Sequence, residues 1–146
     1  MFRGRHDHAI DKKGRLSIPA GFRVEIQRRS EKPPVLTTDK GCLVLRPYDV
    51  WEEFERHLLD ADPLQPEAQA LTRFFIANAE EAPIDSQGRI LIPKHLRTHA
   101  QLERDVTVAG VGSSIELWST AAFDQVQQYT LQNLDPMRAS VAGRGK

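Results

Sequence analysis

The feature that most restricts this chain is a thirteen-residue stretch written twice, "DKKGRLSIPAGFR" at residues 11–23 and "DSQGRILIPKHLR" at residues 85–97. The two share the Asp, the Gly-Arg pair, an Ile-Pro and the closing Arg in one register, 74 positions apart. A second echo follows, "CLVLRPYDVWEEF" at 42–54 against "SIELWSTAAFDQV" at 114–126, with the offset shortened to 72 by a loop two residues shorter. Repetition of this kind means that each copy builds the same supersecondary unit. A unit of about four short strands and a helix cannot bury both faces of a sheet alone, so the copies are expected to complete one another.

Each copy reads as the same series of elements. Asp11 opens a turn, its carboxylate accepting from backbone amides two residues on, and Gly14 supplies the positive φ that such a turn needs; Asp85 and Gly88 repeat this. "RLSIP" and "RILIP" are then short strands that place Leu16 with Ile18, and Ile90 with Ile92, on one face. Pro19 and Pro93 stop these strands and suit the first turn of the helices "AGFRVEIQRR" and "KHLRTHAQLE". In those helices Phe22 and Ile26, and Leu96 and Ala100, fall at a spacing of four. Two more strands follow in each copy, around "VLTT" and "CLVLR" in the first and "VTVAG" and "SIELW" in the second. A helix ends each copy. "YDVWEEFERHLL" turns Trp51, Phe54 and Leu58 inward with Asp49 as its expected cap, and "AAFDQVQQYTLQNL" takes Ser119 or Thr120 as cap.

"ADPLQPEAQALTRFFIANAEE" links the copies as a further helix with a stripe of Leu71, Phe74, Phe75 and Asn78, and the tail "DPMRASVAGRGK" has no period and is expected to be disordered. The division that results is a first repeat at 5–52, a helical linker at 53–78, a second repeat at 79–123, and a C-terminal helix with its disordered tail at 124–146. The fold class is α+β, a duplicated barrel with peripheral α-helices.

Net charge is zero, with 20 Lys and Arg against 20 Asp and Glu, which taken alone argues against a nucleic-acid partner. The charges are segregated, however. Residues 1–32 hold nine bases and four acids besides His6 and His8, whereas residues 49–85 hold ten acids and two bases. That is compatible with one basic face and a separate acidic one. Cys42 is the single cysteine, which excludes an intramolecular disulfide and any multi-cysteine metal centre. The first twenty residues carry Arg3, Arg5, Lys12, Lys13 and Arg15 with no apolar run, and no later stretch nears the roughly 18 apolar residues of a membrane span. The expected compartment is the cytoplasm.

Chemistry of other kinds finds little to rest on. His95 and His99 lie at i, i+4, and His6-Asp7-His8 is a possible chelate, yet neither has a third ligand. "AGVG" at 109–112 lacks the pattern of a nucleotide loop, and no Ser or Cys sits in an elbow setting. No enzyme, metal or cofactor is read here.

The paired Asp-x-x-Gly-Arg with Ile-Pro and Arg, in a chain that opens "MFRG", resembles the MraZ family of bacterial transcriptional regulators from Met1 to about Asn133. Each copy is similar to a SpoVT/AbrB domain. The resemblance implies a swapped-hairpin β-barrel whose two halves come from one chain, and a ring-like homo-oligomer. It also implies binding to double-stranded DNA at tandem repeats in the promoter of the cell-division and cell-wall gene cluster, and hence a nucleoid association. The signature arginine of the family falls at Arg15 and Arg89. Lys13 matches the usual basic residue, whereas its counterpart is Gln87, so the second copy is electrostatically weaker.

Arginine can fork onto a phosphate or onto guanine O6 and N7, and a turn stiffened by Asp and Gly aims such a side chain at low entropic cost. Arg15 is the expected base or close phosphate contact, with Arg3, Arg5, Lys12 and Lys13 supplying counterion release and Arg89 as the second-copy equivalent. Asp11, Gly14, Asp85 and Gly88 are turn-formers. Arg15 and Arg89 can also serve as internal partners of the Asp four positions earlier, and Arg23 and Arg97 can pair with an acid of the fold or meet DNA. Two other functions stay open. One is an antitoxin-like interaction module gripping a basic partner with the acidic, aromatic segment around Trp51 and Phe54; the other is a hydrolase pairing Asp11 with Asp85 across a pseudo-twofold.

Overall fold

The computed structural model describes residues 1–144 and is a mixed α+β fold. In chain order its strands are β1 (Phe2–Ala9), β2 (Arg15–Ser17), β3 (Val35–Asp39), β4 (Cys42–Arg46), β5 (Glu80–Glu81), β6 (Arg89–Leu91), β7 (Asp105–Gly112) and β8 (Ile115–Ser119). The helices are α1 (Ala20–Arg29), α2 (Tyr48–Leu59), α3 (Pro66–Thr72), α4 (Lys94–Ala100), α5 (Thr120–Gln132) and α6 (Leu134–Arg144), with one π-helical turn, Arg73–Ala77, continuing α3.

Six strands form a sheet in the order β1-β7-β8-β4-β3-β5, and β2 pairs with β6 as a separate two-stranded ribbon. Every pairing is antiparallel. The duplication governs this order. β3-β4 and β7-β8 are equivalent hairpins meeting along β4-β8, while the first strand of each copy pairs with the other copy: β1 with β7, and β5 with β3.

The period-two pattern of the strands decides which side chains enter the shared core, although the central strands are covered on both faces. Leu36, Leu43, Leu45, Val106, Val108, Ile115 and Leu117 project from one face of the sheet, and Leu16, Ile18, Ile90 and Ile92 from the ribbon segments meet them. Phe22 and Ile26 of α1 and Leu96 and Ala100 of α4 complete a single hydrophobic cluster shared by both copies. With Leu16, Ile92 and Leu96 all at 0 % exposure, neither copy has a core it could keep alone.

Several local expectations are corrected. Pro19 and Pro93 stand at the position just before their helices rather than inside the first turn, and Pro47 holds the same position before α2. Asp49 therefore lies within the first turn of α2, where it accepts from Arg29 instead of capping. Ser119 does cap α5, accepting from the Ala122 amide at 3.2 Å. Of the stripe predicted for the linker helix, Leu71 is exposed while Phe74, Phe75 and Asn78 are half-buried; the Phe74 and Phe75 carbonyls of the π turn accept from the buried hydroxyls of Thr38 and Thr37 at 2.6 Å. Phe54 and Leu58 are half-buried rather than buried. The tail expected to be disordered is helical over Leu134–Arg144, and residues 145–146 lie outside the described residues. That helix shows no period because it buries no face: its residues up to Gly143 are exposed or half-buried. Strand β1 was not expected at all.

Candidate nucleic-acid interface

The ribbon carries the repeated motif, and its register places the two copies about a local pseudo-twofold. Leu16 faces Ile90, Arg15 faces Leu91 and Ser17 faces Arg89. Since Leu16 and Ile90 point into the core, alternation puts Arg15, Ser17, Arg89 and Leu91 together on the outer face. Arg15 and Arg89 are thus diagonal neighbours across the ribbon, with Cα atoms about 7–8 Å apart. The sequence gives the two arginines as separate copies; the strand pairing joins them on one surface.

Each arginine leaves a turn built in the same way. Asp11 Oδ1 accepts from the Lys13 and Arg15 amides at 2.9 Å, and the Gly14 amide donates to the Asp11 carbonyl at 3.0 Å. Asp85 repeats this with Gln87 at 2.8 Å and Arg89 at 2.9 Å. The Arg15 backbone amide, followed by the Arg15 guanidinium and the Lys13 amide, holds the Asp11 carboxyl below its ordinary value, and the Arg89 amide leads the same effect at Asp85. Gly14 and Gly88 sit at φ 86° and 79°, as the turn requires.

Of the readings left open for Arg15, the internal ion pair is present in the geometry. The Arg15 Nε donates to Asp11 Oδ2 at 2.7 Å. Its two terminal nitrogens donate to no other described residue, and the side chain keeps 34 % exposure. Arg89 is tied more loosely, Nε to Asp85 Oδ2 at 3.2 Å, with 24 % exposure. Holding an arginine by Nε fixes its plane while leaving the outer edge available for a phosphate or base.

Lys12 and Lys13 are exposed beside Arg15, where the second turn has Ser86 and Gln87. Arg3 is exposed on β1. Arg5 is differently placed. Its guanidinium meets Asp7 at 3.1 Å and Asp124 at 2.8 Å and lies over the Phe123 ring, so it serves a network running on to Thr107 and Thr120.

Arg23 and Arg97, undecided from sequence, turn out to interlock the copies. A Cβ on Gly14 would lie 2.9 Å from the Ile92 carbonyl and 3.1 Å from the Arg97 guanidinium, and one on Gly88 would collide with Arg23, 2.6 Å from its Cζ. Each copy's glycine is therefore the bed for the other copy's closing arginine. Backbone bonds run in parallel, Ile92 N to Gly14 O at 2.8 Å and Ile18 N to Gly88 O at 2.9 Å. The recurrence of an Arg at the thirteenth position was the only signal for this.

The catalytic alternative meets an obstacle. The pseudo-twofold passes through the buried Leu16–Ile90 pair, and Asp11 and Asp85 are each committed to their own turn. His99 Nε2 lies 2.7 Å from the Asp39 carbonyl, and among the described residues no group of three or more His, Cys, Asp or Glu is placed to hold a metal. Gly110 of "AGVG" is a site of close approach: a Cβ there would stand 2.5 Å from the Arg3 amide nitrogen of β1. Among the described residues no helix is long and apolar enough to cross a membrane.

Comparison with known proteins agrees with the duplication. The family model of the antitoxin-like MraZ protein matches twice, over residues 1–74 and 75–140. A transcriptional regulator MraZ of Syntrophobacter fumaroxidans is 38% identical over 144 residues, covering 99% of this chain and 96% of the relative. One from Caldanaerobacter subterraneus is 41% identical over 130 residues (89% of each), and one from Desulfitobacterium hafniense is 44% identical over 124 residues (83% of this chain, 82% of the relative). With both copies matched and such relatives aligned along nearly their whole length, this chain belongs to the MraZ family.

Proposed function

We propose that this protein is a transcriptional regulator that binds double-stranded DNA through the outer face of the β2–β6 ribbon. The observation that carries the reading is Arg15, clamped to Asp11 through Nε with its outer nitrogens unspent, beside exposed Lys12 and Lys13. A two-stranded β-ribbon fits the major groove, and a guanidinium edge presented from it meets guanine O6 and N7 or a phosphate. Arg15 is the specifying contact in this reading, with Lys12, Lys13 and Arg3 adding counterion release and Arg89 a weaker second contact. Arg5, given to contact from sequence, is assigned instead to the Asp7–Asp124 network.

A single ribbon offers few contacts, so affinity requires several protomers on several sites, which raises effective concentration. A ring-like homo-oligomer on tandem repeats of its own promoter, in the cell-division and cell-wall gene cluster, meets that need. The strand exchange between copies fits a swapped-hairpin barrel closed within one chain. A nucleoid-associated cytoplasmic location follows from the same reading. The antitoxin-like alternative is less favoured, since Trp51 is only 5 % exposed and Phe54 lies beneath Arg46, leaving little aromatic surface to grip a partner.

Fluorescence anisotropy of the full chain on duplex DNA from upstream of its own gene tests the proposal. Arg15→Ala is expected to weaken binding about tenfold or more, from the loss of a charged hydrogen bond of about 1.5–3 kcal/mol. Arg89→Ala should cost less, and Lys12→Ala or Lys13→Ala should each lower the salt slope by about 0.9. Binding unchanged in Arg15→Ala, with fold and oligomer intact, refutes the assignment.

A further inference from the structure

Arg46, the last residue of β4, is 8 % exposed, and its Nη1 is buried with no hydrogen-bond partner among the described residues. The inward residues of β4 are Leu43 and Leu45, so Arg46 projects from the opposite face of the sheet, where its Cζ lies 3.8 Å above the Phe54 ring of α2. Burial draws the group away from its charged form, and Asp39 and Glu116 act on it only at a distance. Both are engaged elsewhere: Glu116 accepts from the Trp118 indole at 2.9 Å, and Asp39 from the Lys40 amide at 2.8 Å. A buried cation left without a partner is costly, and proteins hold one where an anion completes it.

Arg46 opens onto a surface cleft of about 540 Å³ between α2 and the β7–β8 turn. The cleft's other charges are already answered. Asp49 is paired with Arg29 at 2.9 Å, and Glu53 with Arg56 and His57, so Arg46 is the one cation of the cleft without a contacting acid. Ser113 and Ser114 line the same cleft. Ser114 precedes Ile115, the cross-strand partner of Leu45, and so stands beside Arg46.

We propose that this cleft is a binding site for a single carboxylate, held by the Arg46 guanidinium and the Ser113–Ser114 turn. A guanidinium lying on an aromatic ring directs its N–H donors sideways, in a fork that matches a planar carboxylate. Asp49 and Glu53 at the rim disfavour multiply charged anions such as phosphate, and Phe54 and Val50 accept a short apolar substituent. The carboxylate has two possible sources, a free monocarboxylic acid or an acidic side chain of a second copy of this chain.

The test uses the full chain in thermal unfolding and sedimentation velocity, with sodium propionate against sodium chloride at equal ionic strength. If the site takes a free acid, propionate raises Tm by about 3 °C at ten times its dissociation constant, and Arg46→Met removes the response without changing the oligomer. If a second copy supplies the group, Arg46→Met lowers the association state and propionate competes with it. Ser114→Asp guards against a folding defect in Arg46→Met, because it places a carboxylate beside the guanidinium; it is expected to remain folded and to lose the propionate effect. Equal Tm in propionate and chloride, together with an unchanged association state in Arg46→Met, overturns the proposal, as does a propionate response that survives both substitutions.

Discussion

The interlock of the two copies can be tested by a double-mutant cycle at Gly88 and Arg23. In Gly88→Ala the new methyl meets two separate costs. One is conformational: at φ 79° a Cβ crowds the following carbonyl, which costs about 1–2 kcal/mol. The other is steric, since the methyl falls on the Arg23 guanidinium, 2.6 Å from Cζ, and displacing a packed group typically costs about 1–3 kcal/mol. The single mutant should therefore lose about 2–5 kcal/mol, or roughly 5–15 °C in Tm for a chain of this size. Arg23→Ala alone should lose about 1 kcal/mol of stem packing. In the double mutant the steric cost vanishes, so the pair should be less destabilised than the sum of the singles by about 1–3 kcal/mol. The equivalent cycle at Gly14 and Arg97 should show weaker coupling, because a methyl on Gly14 also meets the Ile92 carbonyl at 2.9 Å, which no side-chain deletion removes. Urea unfolding at one fixed protein concentration measures both cycles. Additivity within about 0.5 kcal/mol at Gly88 and Arg23 would refute the interlock.

Acid unfolding offers a second check. Asp11 and Asp85 have folded values held below the ordinary carboxylate range by their turn amides, so their stabilisation is present above about pH 4 and is lost as pH falls through the lower folded values. Asp11→Asn and Asp85→Asn, which keep the turn geometry, should flatten the fall of the urea midpoint between about pH 4 and 2; a slope identical to that of the parent chain would show that the turns do not select the ionised form. Cys42 is 2 % exposed, and burial, with Glu116 and Asp39 nearby, pushes its thiol up to about 12. A disulfide reagent at pH 8 should therefore label it only after unfolding in urea, and rapid labelling of the native protein would contradict its place in the sheet.

What could be read from the sequence, and what could not, follows from where each residue finds its partner. The motif turns were legible because Asp11 and Gly14 act on residues two to four positions away, and the inward residues Leu16, Ile18, Ile90 and Ile92 because their period matches their strand. Strand β1 was not, since beyond Phe2 it buries almost nothing and is held by backbone pairing with β7, which leaves no apolar pattern. Arg46 ends an apolar run and reads as a strand boundary; it is buried because the helix that starts two residues later brings Phe54, eight positions on, beneath its guanidinium. Arg23 and Arg97 were ambiguous because their partners lie in the opposite copy. The comparison of the two turns is the most informative. Their amide bonds agree within 0.1 Å, from 2.9 and 2.9 Å at Asp11 to 2.8 and 2.9 Å at Asp85, so the backbone that presents Arg15 and Arg89 is the same. Under the proposed DNA-binding reading, a difference in contact between the copies then comes from charge, Lys12 and Lys13 against Ser86 and Gln87, and from the tighter Nε clamp at Arg15. Shape is conferred by the residues the copies share, and the proposed difference in contact by those in which they differ.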